Sequence, residues 1–212
     1  MSNFWDDLME TDEGAANYMA AYGEGPGFAT RIMVGEFIND GESVLDVGCG
    51  PGWNLDHFYN FGPKVSKYQG LDYSPRFVRV ANQRRENQGY SEEIYLPFKV
   101  GDVREIAQPI SSWDVVLMQD VLEHTNGYEK PVKEALRVAR RRVIISFWHL
   151  DGNEGTEHIN DDGNDGWGAW YDKTSWEKYL DTLDYPWFHT DIAPKDKTHT
   201  WHFYIIDKEP GV

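Results

Sequence analysis

The segment Val44-Leu45-Asp46-Val47-Gly48-Cys49-Gly50-Pro51-Gly52 constrains the fold of this chain more than any other. A short apolar run ends in closely spaced glycines, and Trp53 to Phe61 then carries a helical pattern. Glycine permits positive φ and lets a ligand approach the backbone closely. The first turn of the following helix presents N–H groups without intrahelical partners, a natural seat for an anion. Ligands of open α/β sheets lie beyond the carboxyl ends of the strands. The segment therefore predicts a strand–bend–helix unit that cradles a ligand carboxylate or phosphate.

The rest of the chain repeats that unit. Phe28–Asn39 reads as a helix, Lys67 to Leu71 as a strand ending at Asp72, and Ser74-Pro75 as a cap and first helical position. Strands follow at Tyr95–Val100, Trp113–Met118 and Arg142–Phe147, with a helix over Tyr128–Val138. Strands alternating with helices imply parallel strands joined by right-handed crossovers, and their apolar runs suit a sheet covered on both faces. Beyond Trp148 the pattern changes. Asp151 to Gly168 reads as a polar loop, Thr174–Leu183 as a helix capped by Thr174, and Trp187–Ile192 with Trp201–Ile206 as an antiparallel hairpin on the sheet edge. The expected fold is a Rossmann-like, doubly wound α/β domain with a mostly parallel seven-stranded sheet and a C-terminal antiparallel hairpin. It is expected to be one domain over residues 1–212, with N-terminal helices (1–40), a ligand-binding core (41–150) and a variable part (151–212).

Two rival phosphate motifs fit poorly. In the dinucleotide fingerprint G-x-G-x-x-G/A the last position must be small, and here it is Trp53. No Gly-Lys-Ser/Thr follows, so the bend is not a P-loop. As it stands, Asp46-Val47-Gly48-Cys49-Gly50-Pro51-Gly52 resembles the first motif of class I S-adenosylmethionine-dependent methyltransferases. Later segments agree with that family in order and spacing over roughly residues 28–150, and in outline beyond. Trp113-Asp114-Val115-Val116-Leu117-Met118-Gln119-Asp120-Val121-Leu122-Glu123-His124 is similar to the fourth motif of its small-molecule members, including those of quinone biosynthesis. The Asn/Asp-Pro-Pro-Tyr/Phe motif of the branch that methylates adenine, cytosine or glutamine amides is missing from that position.

The resemblance implies S-adenosylmethionine as cofactor, S-adenosylhomocysteine as product, and a role for each matching residue. Asp46, Gly48 and Gly50 would hold the amino-acid head. Asp72, about 20 residues beyond the bend as in ribose-binding acids, would accept from the ribose diol, with Tyr73 against the adenine. Asp102 would accept from the adenine amine and the Val103 N–H would reach a ring nitrogen. Met118 and Gln119 would border the methionyl part. The sulfonium is already activated, so the protein must mainly align the acceptor and exclude water. A base is needed only when the acceptor loses a proton. His124 is the candidate, followed by His149 and His158; Asp120 and Glu123 read equally well as structural. Two other readings remain on the same architecture: a non-catalytic subunit that binds the cofactor to scaffold a partner, and an NAD-dependent oxidoreductase.

Charge narrows the partners. The formal net charge is −16, from 36 acids and 20 bases. Such a field opposes docking on nucleic acid or an anionic membrane and favours a neutral or cationic small-molecule acceptor; a salty habitat would explain the acidity as well. The basic group Arg76, Arg79, Arg84 and Arg85 reads as a solvated helix face. Trp148, Trp167, Trp170, Tyr171 and Trp176 read either as packing or as an aromatic lid able to hold a cation, with Tyr18 and Tyr22 as further caps. No metal site is expected: Glu123, His124, His149, His158 and Asp161 lack ligand spacing, and Asp161 to Asp172 departs from a calcium loop. The lone Cys49, no apolar run of membrane-spanning length and no leader pattern point to a cytoplasmic protein. Oligomeric state is not read from the sequence.

Overall fold

The computed structural model describes residues 26–148, 157–160, 167–192 and 200–208. Its main sheet has seven strands in the order β3-β2-β1-β4-β5-β9-β8. They are β1 (Ser43–Val47), β2 (Lys67–Asp72), β3 (Lys99–Val100), β4 (Trp113–Gln119), β5 (Ala139–Phe147), β8 (Trp187–Ile192) and β9 (Trp201–Asp207). Strands β1 to β5 are mutually parallel, and β9 and β8 add antiparallel to β5 as the expected edge hairpin. The chain runs outward one way from β1 through β2 and β3, then returns to β4 on the other side. In open α/β sheets ligands bind at such a reversal, which here falls between the carboxyl ends of β1 and β4.

Side-chain alternation explains why helices cover both faces. Leu45, Val116, Met118, Val143, Ile145, Tyr204 and Ile206 enter one core, and Val44, Val115, Leu117, Ile144, Phe203 and Ile205 enter the other. Successive residues of a strand point to opposite faces, so a strand apolar at every position needs a packed layer on each side. The helices are α1 (Pro26–Glu36), α2 (Trp53–Asn60), α3 (Pro75–Asn87), α4 (Glu129–Val138) and α5 (Lys173–Leu180). Ser74 caps α3 as expected, accepting from the Phe77 N–H at 3.2 Å ahead of Pro75 at the first helical position.

Several expectations are corrected. The strand expected over Tyr95–Val100 is reduced to Lys99–Val100 with one isolated Tyr68–Tyr95 bridge. Pro97 has no N–H for the ladder, and the Asn82 side chain takes over the pairing of Phe98, accepting from its N–H at 2.9 Å and donating to its carbonyl at 3.1 Å. The supposed loop from Asp151 to Gly168 contains β6 (Glu157–Asn160), paired antiparallel with β7 (Trp167–Trp170). Ile159, Trp167 and Trp170 are the strand-favouring residue types in these short runs. The cap of α5 is Asp172, which accepts from the Ser175 N–H at 2.6 Å, rather than Thr174, and that helix ends at Leu180. The fifth strand begins at Ala139, three residues early. Arg84 and Arg85 do not form a solvated basic face: Arg84 pairs with Asp56, and Arg85 is 5% exposed and pairs with Glu86 and Glu92. Tyr18, Tyr22, His149, Asp161 and Asp165 lie outside the described residues. Among the described residues no helix is long and apolar enough to cross a membrane.

Candidate functional site

The bend after β1 is built on left-handed backbone. Gly48, Gly50 and Gly52 have φ of 77°, 54° and 86°, a region that costs other L-residues energy. Gly48 N and Cys49 N both donate to the Leu71 carbonyl, at 2.7 and 3.0 Å, which turns the chain across the end of β2. A Cβ on Gly48 would sit 2.3 Å from Val121 Cγ2, whereas one on Gly50 would meet nothing nearer than Trp53 Cζ3 at 3.8 Å. The bend is thus packed from below at Gly48 and open at Gly50. Gly52 begins α2 without a side-chain cap, so the N–H groups of its first turn are left to other partners.

Asp72, at the end of β2, lies across this bend. One carboxylate oxygen accepts from Gly50 N and the other from Ser74 N, each at 2.8 Å. Asp72 thus joins bend, strand and helix cap through one carboxylate. Tyr73 beside it is 48% exposed, its ring at the surface. At the next strand end, Asp102 forms a bidentate pair with the Arg104 guanidinium and accepts from the Arg104 N–H. Arg104 holds the Asp102 carboxyl below its ordinary value. The Val103 side chain packs on the core.

Asp46 stands differently. It is 1% exposed, on the sheet face it shares with Val44, and its Oδ2 accepts from Tyr68 Oη at 2.6 Å and Asn54 Nδ2 at 3.1 Å. Burial pushes its pKa up to about 6, and those two donors hold it from rising further. The same Asn54 Nδ2 reaches Gln119 Oε1 at 3.2 Å, and Gln119 Nε2 donates to Thr30 Oγ1 at 2.8 Å. A hydrogen-bonded chain therefore runs from β2 through Asp46, α2 and the end of β4 to α1. Met118 is fully buried in the core, so only its backbone is available to a ligand.

Beyond β4 the chain kinks. Asp120 has φ 53°, uncommon for a non-glycine residue and frequent at functional sites. Ser146 Oγ donates to its carboxylate at 2.7 Å, and the Asp120 N–H meets Ser146. Burial raises the Asp120 pKa to about 6 against the Ser146 and Trp201 hydrogen bonds and the Arg31 charge. His124 ends a 3-10 turn, Leu122–His124, and is half-buried. Tyr171 Oη pins that turn by donating to the Leu122 and Thr125 carbonyls at 2.8 and 2.9 Å. Glu123 is buried and accepts from the Trp148 N–H at 2.8 Å, a structural role. His158 lies on β6, paired with Ala169. The lid reading fails for Tyr171 and Trp176, which are buried and packed edge-on against Tyr128 and Phe147. Among the described residues no group of His, Cys, Asp and Glu is arranged to hold a metal.

The structure thus gathers Asp46, Gly48, Gly50, Asp72 and Gln119 around one bend, places Asp102 at the neighbouring strand end and puts Asp120 and His124 beyond β4. Sequence reading missed Asn54 and Tyr68. The available signal was polarity in otherwise apolar surroundings, because a buried polar group needs a partner.

A methyltransferase-domain family model matches residues 45–147. Ajmaline N-methyltransferase of Rauvolfia serpentina is 32% identical over 131 residues, which cover 57% of this chain and 42% of that protein. A probable chloroplastic tocopherol O-methyltransferase of Oryza sativa is 33% identical over 110 residues, 50% of this chain and 29% of that one. The chain therefore matches less than half the length of these relatives. A phosphoethanolamine N-methyltransferase of Haemonchus contortus, solved with S-adenosyl-L-methionine, superposes with a TM-score of 0.74 at 15% identity, over 97% of this chain and 59% of that chain.

Proposed function

We propose that this chain carries a class I S-adenosylmethionine-dependent methyltransferase domain and transfers the cofactor's methyl group to a neutral or cationic small molecule. The observation that carries the reading is the open glycine bend, with Asp72 bonded across it to Gly50 N at 2.8 Å. The residues present fit the cofactor. Gly50 has free space where a side chain would stand, Asp72 places a carboxylate at the end of β2 beside the bend, and the buried Asp46 and Gln119 carry oxygen acceptors suited to an ammonium. In this reading Gly48, Gly50, Asp46 and Gln119 hold the amino-acid head, with the Met118 backbone alongside. Asp72 holds the ribose, and Tyr73, Asp102 and Val103 hold the adenine.

When bound, the cofactor supplies a methyl group on a sulfonium whose departure leaves a neutral thioether. The chain's own residues align the acceptor in line with that methyl and exclude water. His124 is the proposed proton acceptor for an acceptor that must lose a proton, since imidazole titrates near neutrality. The net charge of −16 supports a neutral or cationic acceptor and disfavours a polyanion. The relatives named above as N- and O-methyltransferases support a small molecule without choosing the attacked atom. Calorimetry with S-adenosylhomocysteine and NAD, followed by transfer of labelled methyl to panels of amines, phenols and RNA, tests the reading. Binding of NAD alone, or salt-sensitive labelling of RNA alone, would overturn it.

A further inference from the structure

The Asp46 carboxylate lies under the glycine bend with 1% exposure, and its Oδ2 receives the Tyr68 hydroxyl at 2.6 Å and the Asn54 amide at 3.1 Å. A carboxylate in such a place is costly unless donors compensate it. Tyr68 is itself fully buried, its ring wedged against Phe58 and Phe98, so its hydroxyl is held rigidly. Asn54 makes a second contact, to Gln119 at 3.2 Å, and Gln119 is bound on its other side by Thr30. One amide nitrogen thus sets the spacing between an acid on β1 and a glutamine at the end of β4. These are the two side chains that the proposed function assigns to the amino-acid head.

We propose that Tyr68 and Asn54 are positioning residues that clamp Asp46 and Gln119 for the cofactor's amino-acid head. The proposal rests on the cofactor reading above. Neither residue need touch the ligand. Each acts through Asp46, and Asn54 also through Gln119. Among the described residues, Tyr68 on β2 and Cys49 on the bend are titratable groups that interact with Asp46; both are neutral near pH 7, because burial and the acids nearby push their own pKa values up. Among those groups Asp46 alone changes charge between pH 5 and 8. Its protonation removes the negative charge opposite the head's ammonium. Losing either clamp donor shifts that protonation to higher pH, since both donors favour the ionised form.

Two ligands separate a head effect from a general one. S-adenosylhomocysteine carries the amino-acid head, and 5′-methylthioadenosine carries only the adenosine and thioether. Calorimetry on the full chain, from pH 5 to 8, compares wild type, Tyr68→Phe and Asn54→Ala. Tyr68→Phe keeps the ring and removes one hydroxyl, so it reports even if Asn54→Ala fails to fold. The expected result is a loss of about 10- to 150-fold in S-adenosylhomocysteine affinity at pH 7, the scale of one hydrogen bond to a charged group. Affinity for 5′-methylthioadenosine should stay within about twofold, inside the scatter expected for an uncoupled site. The pH at which S-adenosylhomocysteine binding weakens should move upward in both variants. Equal losses for the two ligands, no loss for either, or an unmoved pH profile would overturn the clamp and leave the cofactor reading standing. Wild type that binds neither ligand would remove both.

Discussion

Gly48→Ala tests the geometry of the bend most sharply, because two independent costs meet at one atom. The backbone there has φ 77°, and placing an L-residue in left-handed backbone costs about 1–2 kcal/mol. The new methyl would also stand 2.3 Å from Val121 Cγ2 and 3.0 Å from Cγ1. That overlap must be relieved by moving Val121 or the strand end, at about 1–3 kcal/mol for an overpacked core site. The sum, about 2–5 kcal/mol, is large for a domain of ordinary stability. Urea unfolding should show the midpoint falling by ~1–2 M at a slope of ~2–3 kcal/mol/M, and thermal unfolding a drop of roughly 5–15 °C. Adding Val121→Ala removes the methyls that clash and leaves the dihedral cost untouched. The double mutant should therefore be more stable than the sum of the single changes by ~1–3 kcal/mol. Additive single changes, or a Gly48→Ala loss under ~0.5 kcal/mol, would refute the account of how Val121 packs beneath the bend.

Other consequences are as direct. Asp72→Asn leaves one of the N–H groups of Gly50 and Ser74 facing an amide NH2 instead of an oxygen; we expect about 1–3 kcal/mol weaker binding of both S-adenosylhomocysteine and 5′-methylthioadenosine, and unchanged calorimetric affinity would reject the ribose assignment. Asn82→Ala should cost ~1–3 kcal/mol in urea unfolding, because the Phe98 N–H and carbonyl lose the side chain that replaces strand pairing; faster amide exchange at Phe98 is the local check. Stability should also carry a pH signature. Asp46 titrates at about 6 in the folded chain against an ordinary 3.8, so the native state holds more protons between those values and Asp46's contribution to stability falls as pH rises through that window. Asp102 and Asp114, held below their ordinary value, act in the opposite direction at lower pH. Asp46→Asn should therefore gain stability relative to wild type between pH 4 and pH 7 in urea titrations, and parallel curves for the two proteins would contradict the raised pKa.

Local pattern sufficed for the order of the main-sheet strands and the helices between them, the glycine bend, the cap at Ser74 and the edge hairpin. Each of these is set by neighbours within a few residues: apolar runs, turn glycines, a serine before a proline. The acids Asp46, Asp72 and Asp102 were legible as strand-end carboxylates for the same reason. Their environments were not, because these depend on side chains from distant parts of the chain. Asp46 is closed in by Tyr68 and Asn54, Asp72 is joined to Gly50, and Met118 turned out to present only backbone. The short β3 needed Asn82 from a neighbouring helix to reveal what Pro97 had displaced. Periodicity records which face a residue occupies, and only the packed fold decides what waits there. Burial and hydrogen-bond partners are properties of contacts far apart in sequence, and they set the charge, position and openness of every group around the bend.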